Sequence, residues 1–185
     1  MTSALILFNK PCGVICQFTS KIGHRSLKEF ISLSNFYPAG RLDTDSEGLV
    51  LLTNDGELQN KISNPKYKLP KTYWVQVEGI PSNAALEKLR SGINLRNYKT
   101  LPAQVHVINE PENLWPRTPP IRFRKNIPTT WIALTLTEGK NRQVRHMTAA
   151  IACPTMRLIR YAIGRYTLQN ISSGQWNFSE ALREL

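Results

Sequence analysis

The stretch GRLDTDSEGLVLLTNDG, residues 40–56, joins an acidic loop to a compact apolar segment. Residues 49–53 form a short apolar run bounded by turn residues, and this pattern predicts a buried strand. Asn54 or Asp55 can cap a helix over residues 57–62, directly after that strand. The stretch therefore predicts an acidic loop that leads into the core of the protein.

The acidic loop places Asp43, Asp45 and Glu47 at alternate positions, directly before Gly48. A calcium loop counted from Asp43 would have its glycine at the sixth position, but its twelfth residue is Asn54, which cannot bind the ion through two oxygens. A Mg²⁺ ion shared by Asp43 and Asp45 stays open, because alternate side chains of an extended segment point the same way. A polar turn, or one ionised carboxylate held by a guanidinium as a nucleophile, stays open as well.

The charge of the chain is strongly positive, with 24 Lys and Arg residues against 13 Asp and Glu residues, a net charge of +11. The basic residues are concentrated, because three long stretches contain no acidic residue: residues 58–77, 113–137 and 139–179. Stretches of one sign and this length predict a surface that attracts a polyanion such as RNA.

The three cysteines, Cys12, Cys16 and Cys153, are odd in number and poorly spaced for a disulfide framework. This usage favours a reducing, cytoplasmic location. No metal-ligand spacing links the cysteines or the three histidines, so we expect no metal site among them. We also expect no membrane association, because no stretch approaches the roughly 20 apolar residues of a spanning helix.

The rest of the chain alternates short strand and helix patterns irregularly. Strands are predicted at residues 4–8, 14–17, 71–78, 104–108, 131–137, 156–161 and 166–168. Helices are predicted at residues 26–31, from a cap at Ser82 to Arg90, from a cap at Asn141 to about Ala152, and near residues 179–183. This order predicts an α+β fold with a mixed, mostly antiparallel sheet flanked by short helices, in a single domain of residues 1–185.

Residues 109–130 form the one long irregular segment, with five prolines and a basic RFRK core at residues 122–125. Loops of this length are uncommon unless they are functional or disordered. The segment is interpreted either as an arm that contacts an RNA backbone or as a solvated excursion.

Four motifs, in the same order along the chain, resemble those of the pseudouridine synthases, in the RsuA branch that modifies ribosomal RNA. They are FNKPCGV from residue 8, GRLD with EGLVLLTNDG within residues 40–56, KTYWV from residue 71, and EGKNRQVRHM from residue 138 followed by LIR from residue 158. The LWPR and PPIR sequences after residue 113 further resemble the RluE subgroup, which acts on large-subunit (23S) rRNA. Members of the branch usually carry an S4-like RNA-binding domain first, and we expect none before this catalytic domain.

The resemblance implies the pseudouridine synthase fold and a role for each site residue. Asp43 would be the nucleophile, Tyr73 would lie against the uracil and assist proton removal from C5, and Arg145 would pair with Asp43. Arg41 would fill the base stack when the uridine leaves it. Further RNA contacts are expected from the basic residues Lys71, Lys140, Arg142 and Arg160. Asp45 has no role that the family implies.

The implied reaction moves the bond at ribose C1′ from uracil N1 to C5 within one nucleotide, so it needs no cofactor and no metal. The base must leave its stack, at a cost of a few kcal/mol. The carboxylate could trap C1′, add to C6 of the ring or remove a ribose proton, and the sequence leaves these routes open. The expected partner is 23S rRNA, free or in an assembly intermediate, bound by a monomer.

Two other functions are compatible with the same residues. The chain could be an RNA-binding or ribosome-assembly module that keeps the fold without turnover. It could also be a Mg²⁺-dependent nuclease that uses Asp43 and Asp45. The presence of Asp43, Tyr73 and Arg145 together favours the synthase over the binding module.

Overall fold

The computed structural model describes residues 4–121, 124 and 126–180, and these form a nine-stranded sheet with a separate two-stranded pair. The strands are β1 (Ala4–Lys10), β2 (Val14–Ile15), β3 (Arg25–Ser26), β4 (Tyr37–Pro38), β5 (Glu47–Thr53), β6 (Lys71–Glu78), β7 (Gln104–Ile108), β8 (Thr129–Leu136), β9 (Thr155–Ile163), β10 (Tyr166–Thr167) and β11 (Trp176–Glu180). The order in the large sheet is β11-β1-β5-β9-β6-β8-β7, with β4 on β5 and β10 on β9. The strands β2 and β3 form the small pair.

The large sheet is mixed, because β5 pairs with β9 in parallel while the other described pairings in it are antiparallel. The parallel contact is short and aligns Glu47 with Ile159 and Gly48 with Arg160. It joins the two halves of the sheet at the point where the acidic loop ends. The predicted α+β class with a mixed, mostly antiparallel sheet is confirmed.

Gly48 makes the close approach of β5 to β9 possible. Its φ is +108°, and a Cβ at this position would lie 2.5 Å from the carbonyl oxygen of Arg160. Any side chain would therefore push the two strands apart, and the positive φ would be strained as well. The glycine fixes the distance between the acidic loop and β9.

Three α-helices lie within the described residues: α1 (Gly56–Ser63), α2 (Asn83–Ser91) and α3 (Gln143–Ala150). The side chain of Asp55 caps α1 by accepting hydrogen bonds from the N–H groups of Glu57 and Leu58, and Ser82 caps α2, as predicted. The predicted cap of α3 at Asn141 is wrong. The residue before α3 is Arg142, in the left-handed region at φ 48°, and no side chain caps the helix.

Both faces of the sheet are covered by apolar side chains. The period-two alternation of β6 turns Tyr73, Val75 and Val77 toward one face, where α2 and α3 pack. On the other face, Leu49 and Leu51 of β5 pack with apolar residues of α1. A third cluster lies where β1 and the intervening residues of β5 meet the segment after β3.

The chain end and the segment after β3 differ from prediction. A helix was predicted near residues 179–183, but Ser179 and Glu180 belong to β11 and pair with Leu5 and Ala4 of β1. This pairing gives the backbone groups of β1 hydrogen-bond partners and overrides the local helical tendency. Residues 181–185 lie outside the described residues. The helix predicted at residues 26–31 is a single 3₁₀ turn, Leu27–Glu29.

The irregular segment before β8 is partly docked on the sheet. Because β8 begins at Thr129, the segment spans residues 109–128, and Leu114 and Trp115 pack against the cluster that contains Leu49 and Leu51. Three of the four residues of the RFRK core lie outside the described residues, and the side chain of the fourth, Arg124, pairs with Glu78. Among the described residues, no helix is long and apolar enough to cross a membrane.

Candidate active site

A cleft of about 740 Å³ opens between the acidic loop and the N-terminal end of α3. Asp43, Tyr73 and Arg142 line this cleft, although they are far apart in sequence. Apolar side chains such as Leu136 and Val144 line part of its wall. A concave site with a few convergent polar groups on a partly apolar wall is typical of a ligand or substrate site.

Tyr73 reaches the cleft from β6, in the centre of the sheet. The residue is 8% exposed and belongs to the cluster under α2 and α3. Opposite Tyr73 on β9 is Arg160, and the register between the two strands shifts between Thr72 and Tyr73. Such irregularities re-aim side chains next to functional sites. The packing holds the ring of Tyr73 in place at the wall of the cleft.

The carboxylates of the acidic loop face guanidinium groups from α3 and the residue before it. Arg142 donates to both carboxylate oxygens of Asp45, at 3.1 and 2.9 Å. The same guanidinium lies 3.6 Å from the carboxylate of Asp43. A cation between Asp43 and Asp45 would lie beside this fixed positive charge, which argues against the Mg²⁺ site considered from the sequence.

Arg145 was predicted to pair with Asp43, but its partners in the structure are the next residues of the loop. Its Nη2 lies 3.4 Å from the carboxylate of Asp45 and donates to the carbonyl oxygen of Asp45 at 3.0 Å and to Ser46 Oγ at 3.2 Å. The two arginines are three residues apart, so both face the same loop. The guanidinium beside Asp43 is that of Arg142, which lies in the left-handed region directly before α3.

The family model for RNA pseudouridylate synthase matches residues 4–150, which include the acidic loop, β6 and α3. The chain belongs to this family.

Named relatives and a solved structure agree with the family assignment. Ribosomal large subunit pseudouridine synthase E of Vibrio vulnificus (strain CMCP6) is 57% identical over 93% of this chain and 73% of that protein. The protein of the same name from Xanthomonas campestris pv. campestris is 48% identical over 96% of both chains. A crystal structure of a pseudouridylate synthase has a TM-score of 0.78 at 27% identity and covers 97% of this chain and 71% of that one. The resemblance to RluE in the RsuA branch, the pseudouridine synthase fold and the isomerase class are confirmed.

The pairing of Asp45 with Arg142 and Arg145 is the feature of this synthase's cleft that the sequence did not predict. Burial raises the pKa of its carboxyl, but the hydrogen bond from Arg142 and the charges of Arg145 and Arg142 outweigh that effect and lower the pKa overall. A signal for this pairing exists in the sequence, because two acidic residues at alternate positions of one loop accompany two basic residues three apart at the start of a helix. The alternation of acidic residues alone does not predict which carboxylate each arginine contacts.

The pKa values of Arg142 and Arg145 are shifted in opposite directions. The hydrogen bond to Asp45, more than any other interaction, raises the pKa of Arg142, which is 40% exposed. Burial lowers the pKa of Arg145 although the charge of Asp45 opposes the change. Of these two arginines, Arg142 is therefore the one that solvent reaches, while Arg145 is a mostly buried support for the loop.

The other predicted RNA-binding residues divide into exposed and buried groups. Arg41 and Lys140 are exposed at the cleft of the synthase, and the ammonium of Lys140 lies 3.8 Å from the centre of the Tyr98 ring. Lys71 also lines the cleft, but its Nζ donates to the carbonyl oxygen of Leu69, and burial, with a smaller contribution from the charge of Arg160, lowers its pKa.

Arg160 was predicted to bind RNA, but it is buried, with 4% of its surface exposed. Its Nε donates to the carbonyl oxygen of Leu49 at 2.8 Å, and its Nη1 donates to that of Arg41 at 3.3 Å. These bonds tie β9 to β5 and to the start of the acidic loop. Arg160 lines the cleft and also holds the loop that carries Asp43.

Proposed function

We propose that the chain converts a uridine of large-subunit (23S) rRNA into pseudouridine, with Asp43 as the nucleophile. The observation that carries this proposal is the shared cleft, in which Asp43 and Tyr73 lie together and a guanidinium stands 3.6 Å from the carboxylate. The names of the relatives from Vibrio and Xanthomonas support the choice of large-subunit RNA. A guanidinium at this distance attracts the negative charge that a carboxylate nucleophile carries.

The target base must leave its stack before the carboxylate can reach it, at a cost of a few kcal/mol. The exposed guanidinium of Arg41 at the cleft can occupy the vacated stack. Tyr73 offers the base an aromatic ring, and stacking of this kind contributes about 1–3 kcal/mol per base in single-strand binders. Asp43 then attacks C1′ or C6 or removes a ribose proton, and Tyr73 assists the loss of the proton from C5.

The basic residues around the cleft supply the affinity for RNA in this proposal. Lys140 and Arg142 are exposed cations beside α3, and a phosphate can bind to the solvent-facing side of either one. Arg145 acts by holding the backbone of Asp45 and the hydroxyl of Ser46, and so supports Asp43 without touching it. We further propose that residues 1–185 act as one catalytic domain and as a monomer in the cytoplasm, on rRNA that is free or in an assembly intermediate.

The substitution Asp43→Asn tests the proposal. Because the side chain keeps its shape and Asp43 is partly exposed, the variant should fold and bind a 23S rRNA fragment with the affinity of the wild type. Chemical mapping of pseudouridine in that fragment should find none. Turnover of the wild type should survive a chelator, which would stop a Mg²⁺-dependent nuclease. Normal pseudouridine formation by Asp43→Asn would refute the assignment.

A further inference from the structure

A buried carboxylate at the start of β5 has no part in the proposed chemistry. Glu47 is 1% exposed and accepts hydrogen bonds from Trp115 Nε1 at 2.8 Å and from Arg157 Nε and Nη2, both at 2.9 Å. The Nε of Arg117 lies 3.6 Å from the same carboxylate. We call these four residues the Glu47 clamp. Two of its members, Trp115 and Arg117, belong to the irregular segment of residues 109–128.

Within the clamp, Arg157 contacts Trp115 as well as Glu47. Arg157 is 6% exposed, and its Nη2 also donates to the carbonyl oxygen of Trp115 at 2.9 Å. Its guanidinium lies 5.6 Å from the centre of the Trp115 ring. The irregular segment is thus held through both its backbone and its side chain.

Stability alone is a weak explanation for such an arrangement. Removing two or more charges from water costs several kcal/mol per ion, and apolar residues of similar volume often replace a buried ion pair without loss of stability. A buried carboxylate that accepts several hydrogen bonds does restrict its neighbours to one geometry. The clamp therefore indicates that the chain around Glu47 must keep one fixed position.

The carboxylate of Glu47 sits four residues after Asp43, on a loop that is tied down along its length. Arg145 holds the carbonyl of Asp45 and the hydroxyl of Ser46, directly before Glu47. Directly after it, Gly48 lies against the backbone of β9 with no room for a side chain. The Glu47 side chain is a further anchor at the end of the acidic loop, and its partners come from β9 and from the irregular segment.

We infer that the Glu47 clamp positions Asp43 for reaction, and that Trp115 makes this position depend on the docking of residues 114–117. Glu47, Arg157 and Trp115 are positioning residues that act through the loop and touch no substrate. The inference rests on the proposed function, since it assigns a role toward the Asp43 nucleophile. On this inference, the docked part of the irregular segment affects the rate of the reaction and not only RNA binding.

The substitution Trp115→Phe tests the inference because it keeps an aromatic ring and removes the N–H donor to Glu47. Trp131→Phe is the matched control. Trp131 packs in the same cluster as Trp115, is 6% exposed, and its buried Nε1 has no hydrogen-bond partner within the part of the chain that the structure describes. Glu47→Gln is a second variant, which removes the charge and keeps the shape.

Three quantities are measured for each variant: the single-turnover rate constant at saturating RNA, the Kd for RNA in an Asp43→Asn background, and the midpoint of urea unfolding. We expect Trp115→Phe and Glu47→Gln to lower the rate constant about tenfold to a hundredfold, the range that a displacement of about 1 Å at a reacting group can produce. The Kd should stay within about twofold of the parent protein, because binding residues are intact. Trp131→Phe should retain the rate of the wild type.

A rate constant for Trp115→Phe within about threefold of that for Trp131→Phe would overturn the inference, and so would a loss confined to the Kd. If Trp115→Phe does not fold, Glu47→Gln is judged by the same threshold, and unfolding of both variants would reduce the clamp to a stabilising element. Failure of the proposed function looks different, because Asp43→Asn would then still form pseudouridine. When Asp43→Asn is inactive, any of the outcomes above against the clamp rejects the inference and leaves the proposed function standing.

Discussion

Asp45 binds the guanidinium of Arg142 through both carboxylate oxygens, at 3.1 and 2.9 Å, while Asp43 meets the same guanidinium at a single distance of 3.6 Å. Arg145 adds a second contact to Asp45 at 3.4 Å. The two cations are therefore held mainly by the carboxylate that is not the proposed nucleophile. Asp43 keeps a nearby positive charge without being locked into a bidentate pair.

The first prediction concerns Asp45→Asn. Without the charge at residue 45, Arg142 is free to close on Asp43 and reduce its nucleophilicity, and Arg145 loses its anionic partner. We expect the single-turnover rate constant to fall about tenfold, which corresponds to about 1.4 kcal/mol. Because Asp45 is partly exposed, the free energy of unfolding should fall by no more than about 1 kcal/mol.

The matched control for Asp45→Asn is Glu87→Gln on α2, which removes an exposed ion pair with Arg90 at 3.3 Å. Glu87→Gln should lower the free energy of unfolding by a similar amount and keep the single-turnover rate constant of the wild type. Equal rates for the two variants in a single-turnover assay would contradict a role for Asp45 in the site.

The second prediction concerns the exposed cation at the cleft, Lys140. Its ammonium lies over the Tyr98 ring, so it is held where a phosphate can meet it. We expect Lys140→Ala to weaken RNA binding and to reduce the slope of log Kd against log salt concentration by about 0.7–0.9, the value for one phosphate contact. Lys88→Ala on α2, which removes an exposed charge elsewhere, should leave the slope unchanged. Titrations of an RNA fragment between low and moderate salt measure both slopes, and an unchanged slope for Lys140→Ala would place the RNA elsewhere.

Elements with a local signal were predicted well from the sequence. The strand β6 (Lys71–Glu78) has the predicted bounds because its alternation is a property of eight consecutive residues. The cap at Asp55 was predictable for the same reason, since a capping side chain acts on the next few N–H groups. In contrast, β11 owes its existence to pairing with β1, about 170 residues away, and no local pattern reports that partner.

The site shows the same division between local and distant information. The family motifs placed Asp43 and Tyr73 in one cleft, but the partner of Arg145 was shifted by two residues, from Asp43 to Asp45. Arg142 contacts both carboxylates and Arg145 contacts Asp45, and this pairing depends on how the loop lies against α3, which the sequence pattern does not report. The contact of Glu47 with Trp115 spans 68 residues and rests on a side-chain hydrogen bond, which no periodicity could predict.

The last prediction concerns the pH dependence of stability through Lys10, the lysine of the NKP turn. Lys10 is fully buried, and its Nζ donates to the carbonyl oxygens of Pro11 and Val14 at 2.9 and 2.8 Å. Burial lowers its pKa from 10.5 to about 8, although Cys16, Cys12 and Glu47 act in the opposite direction. Between these two values the unfolded chain binds more protons than the folded one, so the stability rises with pH. The penalty for burying the charge is complete below pH 8 and disappears above about pH 10.5.

A comparison of the wild type with Lys10→Met isolates this effect, because methionine has a similar length and no charge. The free energy of unfolding of the wild type, relative to the variant, should rise by about 2–3 kcal/mol between about pH 7 and pH 10. Urea unfolding at several pH values measures the difference, and the exposed Lys88→Met serves as the control whose difference stays flat. A flat difference for Lys10→Met would mean that the buried ammonium keeps its ordinary pKa, with its two carbonyl partners offsetting the loss of water.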